Sequence, residues 1–166
     1  MATGRTQGKF IKVQIDDANS GGTLRDIPVS TISGIGITAD VVDLTALQDA
    51  LTGGLPGQGV VEIPITGPFS TKTAVSASGT GAAPALTGSH VVLSAINNGS
   101  APLAFGIYIG IRGNWATNDP VFGITGTSVN GVLVRDYTVS DDMMYSATIY
   151  MYPGSATLAW GTAQLS

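Results

Sequence analysis

The sequence predicts an all-β, mainly antiparallel fold: a β-sandwich or barrel with one short flanking helix. Three observations carry that prediction. Apolar and polar residues alternate over short runs, as Ile11, Val13 and Ile15 do with Lys12, Gln14 and Asp16, which is the period of a half-buried strand. Turn signals separate such runs at Gly113-Asn114, Asn130-Gly131, Asp141-Asp142 and Pro153-Gly154, at the spacing of a sandwich or barrel. A single segment, residues 87–97, reads best as a helix.

The elements follow in chain order. Residues 9–16 form the first strand, and Asp17-Ala18-Asn19-Ser20-Gly21-Gly22 turns the chain, because Asn and Gly tolerate positive φ and Asp caps locally. Residues 23–38 hold two short strands or one bent strand. Pro28 lacks a ladder donor, and Gly34 and Gly36 invite a bulge. Residues 40–51 admit two readings. Val41, Leu44, Leu47 and Leu51 fall at helical spacing behind a capping Asp40, and an extended hairpin loop fits equally. Gly53-Gly54-Leu55-Pro56-Gly57 ends either one.

Residues 59–66 form a strand with Val61, Ile63 and Ile65 on one face; Glu62 and Pro64 lie opposite, which places it at a sheet edge. Residues 70–86 are rich in Ser, Thr, Ala and Gly and read as loop. In 87–97 the residues Val91, Val92, Leu93 and Ile96 give a helical face, and Asn97-Asn98-Gly99 stops it. Strands follow at 103–112, 120–126, 131–139, 144–152 and 157–163. The echoes SGIGIT and FGITG are too short to count as repeats, so 1–166 reads as a single domain.

Composition bounds the function. Charged residues are 11% of the chain, against about 25% in ordinary soluble domains. A surface so poor in charge suits a protein covered by its neighbours, since charge is depleted at interface centres. The net charge of −4 argues against nucleic-acid binding. Seven acidic residues lie between Asp16 and Glu62 (Asp16, Asp17, Asp26, Asp40, Asp43, Asp49 and Glu62), with Arg25 the one basic residue among them. The opening residues do not read as a secretory leader. The uncharged stretch between Lys72 and Arg112 is broken too often by Gly, Asn and Pro to span a membrane.

Catalytic and metal chemistry find little support. Cysteine is absent and His90 is the one histidine, which excludes thiolate chemistry and the usual zinc sets. No GxSxG elbow surrounds a serine. Glu62 is the one glutamate, and nothing singles out a carboxylate partner for it. The stretch Asp16–Gly22 clusters oxygens without calcium-loop spacing. Gly34-Ile35-Gly36 and Gly79-Thr80-Gly81 match no phosphate-loop fingerprint. No catalytic, cofactor or metal residue is assigned, and no cofactor is implied.

The order of elements resembles the tail tube (major tail) proteins of siphophage-type tailed bacteriophages. KVQIDDANSGGTLRDI at 12–27 is similar to that family's opening strand, turn and strand. DVVDLTALQDALTGGLPG at 40–57 is similar to its projecting connection, VVEIPITG to the strand that follows, TGSHVVLSAI at 87–96 to its flanking helix and TLAWGTA to its last strand. The Ala/Gly/Ser-rich stretch 74–86 and the helical spacing within 40–51 depart from the pattern.

The resemblance implies a non-enzymatic virion protein, assembled in the host cytoplasm and resident in the tail. Copies would form hexameric rings that stack into a filament and conduct DNA without binding it specifically, alongside tape-measure and terminator proteins and away from membranes. It makes residues 1–9 an inter-ring arm with Arg5 and Lys9, and 40–57 a projecting loop or short helix. It makes Asp40, Asp43, Asp49 and Glu62 candidate lumen or inter-ring contacts. Two other readings stand beside it: a capsid decoration protein, and an adhesive β-sandwich that binds carbohydrate through its aromatic residues.

Overall fold

The structure is a computed structural model, and it describes residues 11–17, 24–43, 54–71, 88–109, 120–124, 130–155 and 158–161. Among these residues, eleven strands and one helix follow one another in the order β1 (Ile11–Asp16), β2 (Leu24–Ile27), β3 (Thr31–Ile32), β4 (Thr38–Asp43), β5 (Gly54–Val60), β6 (Glu62–Pro68), α1 (Ser89–Ile96), β7 (Phe105–Ile109), β8 (Val121–Ile124), β9 (Val132–Val139), β10 (Met144–Met151) and β11 (Ala159–Gly161). They form a five-stranded sheet ordered β11-β8-β7-β1-β2, a four-stranded sheet ordered β3-β6-β10-β9, and the separate pair β4-β5. Each strand pair is antiparallel. The all-β, antiparallel class with one short helix is therefore correct, and the sheets are not closed into a barrel.

The core follows from the alternation. Val13 and Ile15 of β1, Ile107 of β7 and Phe122 of β8 are buried from the larger sheet, and Ile63, Ile65, Val134, Ala147 and Ile149 from the smaller. Together with Val92, Leu93 and Ile96 of α1 they make one cluster. Along β6 the buried and more exposed positions alternate strictly, with Ile63, Ile65 and Gly67 inside. Each buried Ile or Val is worth about 1.5–3 kcal/mol against exposure, so the two-faced pattern fixes which side of each strand points inward.

Gly67 is required by close approach. A Cβ there would lie 2.4 Å from the Pro28 carbonyl oxygen and 2.8 Å from the Tyr145 ring. The missing side chain lets the buried Tyr145 hydroxyl donate to that carbonyl at 2.8 Å, joining the chain after β2 to β10.

One open reading is decided and two others meet corrections. Of the helix and the extended hairpin that both fit residues 40–51, the described part, residues 40–43, takes the extended form as strand β4; pairing with β5 from Thr38↔Val60 to Asp43↔Gly54 overrides a helical spacing that runs on into residues outside the described set. β6 is not an outer strand, because β3 lies beyond it. Pro64 explains why β3 is so short. Ser33 donates its N–H to the Pro64 carbonyl at 3.0 Å, and proline has no N–H to return the bond, so pairing stops after Ile32. The barrel alternative fails because β2, β11, β3 and β9 end their sheets without joining one another.

The helix begins at the Gly88 N-cap, which supplies no side-chain bond. The chain after β6 holds this end instead: His90 N donates to Ser70 O at 3.0 Å, and the buried Ser89 hydroxyl donates to Pro68 O at 2.8 Å and accepts from Ser70 N at 3.1 Å. Asn98 has φ 57, the left-handed residue that terminates helices.

Candidate assembly surface

An assembling β-protein works through its sheet borders, because the outer strand of an open sheet offers backbone N–H and C=O groups to another chain. The described residues show borders of two kinds. The β9 border is sealed from within. Val132 and Leu103 exchange two backbone bonds at 2.9 and 3.0 Å, and Asn98 N donates to Val134 O at 3.0 Å. The Asn97 side-chain oxygen accepts from Tyr137 N at 3.2 Å, and Arg135 reaches Gly99 O at 2.8 Å. The end of α1 thus caps the strand it packs against.

A β-bulge makes this capping fit. The register between β10 and β9 shifts between Ser146 and Thr148, and Asp136, within the extra pair of residues, has φ 57. Bulges re-aim the side chains that follow them. Here Tyr137 turns towards α1, where its hydroxyl lies 2.9 Å from His90 Nδ1. The His90 ring also packs against Phe69 at a tilt of 46°, with centroids 4.9 Å apart. Burial raises the Tyr137 hydroxyl above its ordinary pKa, and burial followed by the charge of Tyr137 raises that of Tyr145. His90 is thus a packing residue that clasps helix to sheet; its nearest polar side-chain partner is a tyrosine rather than a serine and carboxylate.

Among the described residues, the borders at β2 and β11 are open: each has one hydrogen-bonded neighbour strand. All three residues of β11 are exposed, and Trp160 there is 52% exposed with its ring 5.2 Å from Phe122. β2 carries a buried polar group instead. Asp26 accepts from Gln14 at 2.6 Å and pairs with Lys12 at 2.9 Å, while Arg25 at the same end pairs with Asp17 at 2.8 Å.

The β4-β5 hairpin belongs to neither sheet. A two-stranded ribbon is marginal in water without further packing. Its base carries Ile37 and Val60, both more than two-fifths exposed, and Ile37 closes against Gly59, where a Cβ would come within 2.9 Å of its methyl. Beside the base lies an open cleft of about 450 Å³, lined by Ser33, Gly34, Ile35, Gly36, Ile37, Thr38 and Glu62.

The sites expected from sequence distribute as follows. Glu62 opens β6, is exposed, and accepts from the Tyr150 hydroxyl at 3.3 Å. Partial burial, then the Glu62 charge and hydrogen bond and the Asp136 charge, raise the Tyr150 pKa. Asp40 and Asp43 lie on β4. Asp49, Arg5 and Lys9 lie outside the described residues. Among the described residues, no three His, Asp or Glu side chains gather as a metal site would require, and no helix is long and apolar enough to cross a membrane. Sequence reasoning missed the Lys12–Asp26–Gln14 group and the bulge at Asp136. The first carried a signal: a charged and an amide residue on the polar face of β1, opposite an aspartate.

Two solved structures align with this chain from end to end. One is the PVC sheath/tube terminator of an extracellular contractile injection system in its extended state, with TM-score 0.54 and 12% identity over 95% of this chain and 96% of that one. The other is the anti-feeding prophage cap, the AFP tube terminating cap, with TM-score 0.52 and 11% identity over 96% of this chain and 92% of that one. The likeness is one of fold. No family model and no curated protein sequence matches.

Proposed function

We propose that this chain is a structural, non-enzymatic subunit of a phage-tail-like tube, which assembles with copies of itself into a ring that closes the tube's end. The observation that carries the reading is the alignment of its whole length with two tube-terminating proteins. The open borders at β2 and β11, the free-standing β4-β5 hairpin and the 11% charge support it, since each is a feature that association would cover. Its location is the tail-like particle, and its partners are sister copies and the tube components below.

A second reading is a repeating tube subunit, with hexameric rings stacked into a DNA conduit. The hairpin favours it, since an element that leaves both sheets can bridge successive rings. Asp40, Asp43, Asp49 and Glu62 would then face the lumen or the next ring, and residues 1–9 would serve as the arm. Head-to-tail stacking is a contact that propagates.

Negative-stain microscopy of the purified protein separates the two. Rings that stay single at high concentration are the expected result for a terminator. Hollow filaments grown from the protein alone would replace it with the repeating subunit, and a monomer at all concentrations would defeat both.

A further inference from the structure

We propose that Asn98 is a self-modification site: its side-chain amide cyclises onto the Gly99 nitrogen with loss of ammonia, and the isoaspartyl product unseals the β9 border. The inference stands apart from the assembly reading, since the reaction needs this chain and water alone.

The chemistry follows from residue type. The Gly99 backbone nitrogen, once deprotonated, attacks the Asn98 side-chain carbonyl carbon. The new C–N bond closes a cyclic imide, and the side-chain nitrogen leaves as ammonia. Water then opens the ring. Breaking the new bond leaves aspartate in an unchanged backbone. Breaking the original peptide bond leaves isoaspartate, in which the chain runs on through the former side chain. Glycine at the attacking position matters, because a Cβ there hinders the approach. The sequence offers the pair twice, at Asn98-Gly99 and Asn130-Gly131.

The fold separates the two. Asn98 and Gly99 are both exposed and lie just past the end of α1, where Gly99 N donates to Ile96 O at 3.1 Å. Helix ends fray, so local opening is enough to release that nitrogen. Gly131 is buried. Its N–H donates to Ser155 Oγ at 3.0 Å, and a Cβ there would lie 2.7 Å from Leu103 N. Freeing that nitrogen means parting the chain from the core.

The consequence falls on the seal of β9. Asn98 N donates to Val134 O at 3.0 Å, and Gly99 O accepts from Arg135 at 2.8 Å. Isoaspartate inserts a further backbone atom between those two groups, so both bonds cannot keep their register on β9. Aspartate adds the charge without the atom, and it tolerates the left-handed φ of 57 that Asn98 holds.

The test is incubation of the full-length protein at mildly alkaline pH, followed by peptide mass mapping over time. In the folded protein Asn98 should exchange amide for acid at least about tenfold faster than Asn130. In urea the two sites should react at like rates. Gly99→Ala should slow Asn98 and leave Asn130 unchanged; its Cβ would meet Ile96 O at 3.1 Å, so circular dichroism checks the fold. Asn98→Gly, which keeps the left-handed backbone and has no amide, should show no exchange in that peptide. The isoaspartyl fraction, separated by anion exchange, should melt below the parent, and Asn98→Asp should melt with the parent. Asn130 reacting as fast as Asn98 in the folded protein overturns the inference, as does a gap that survives unchanged in urea. An isoaspartyl fraction that melts with the parent overturns the unsealing of β9.

Discussion

Asp26 is the residue on which the β2 border depends. Its side chain is 6% exposed and its carboxylate serves Gln14 and Lys12 together. Removing one member of a buried ionic group leaves the others without compensation, at about 3–5 kcal/mol when burial is complete. Lys12 retains 24% side-chain exposure and can turn its ammonium towards water, so Asp26→Ala should cost about 2–3 kcal/mol, read as a lower urea midpoint. Asp26→Asn should cost less, since an amide oxygen still accepts from Gln14. Tyr145 gives a pH dependence with a definite sign. Its folded pKa is raised by burial and by Tyr137, so the neutral hydroxyl favours the folded state. That stability is complete below the unfolded tyrosine value of about 10 and drains away as pH rises beyond it. Tyr145→Phe should flatten the loss above pH 10. It should also cost about 1 kcal/mol at neutral pH for the bond to Pro28, both read from chemical denaturation across pH.

At the scale of elements, the contrast is between borders sealed within the chain and borders left for others. Amide hydrogen exchange reads it directly, because exchange follows the local opening of each hydrogen bond. The Tyr137 amide, held by Asn97, should exchange slowly in dilute and assembled protein alike. Amides of β2 and β11 should gain protection on assembly. Asn97→Ala should accelerate Tyr137 in the dilute protein; protection unchanged by that substitution would mean that α1 does not seal β9. The same contrast shows what single elements reveal in advance. The stop at Asn97-Asn98-Gly99 is legible from residue type, and Asn98 adopts the left-handed φ expected of it. That Asn97 also caps a strand forty residues away is a tertiary fact, since its partner Tyr137 reaches it only through the bulge at Asp136.

The whole molecule combines a conventional core with a sparsely charged exterior. The core accounts for the fold without any ligand: its side chains interlock from two sheets and one helix. The exterior is what the proposed association would cover, and the microscopy belongs at this scale because ring geometry is a property no isolated subunit has. The candidate site is less legible than the fold. Glu62 stands at the cleft where its charge can act, but no local pattern announced that cleft. It forms because Pro64 cuts β3 short and releases residues 34–37 from the sheet.

Local pattern by itself determined where nine of the eleven strands seen among the described residues would lie to within a few residues, β4 and β5 being the exceptions, and Asn and Gly determined where α1 would stop, because side-chain alternation and backbone conformation are local consequences of residue type. Tertiary structure alone decided the strand order, the choice of the β4-β5 hairpin over a helix, and which borders are open among the described residues. Those depend on partners far apart in the chain, as when Tyr145 reaches Pro28 across 117 residues, and a pattern of alternating faces does not say which strand a face will meet.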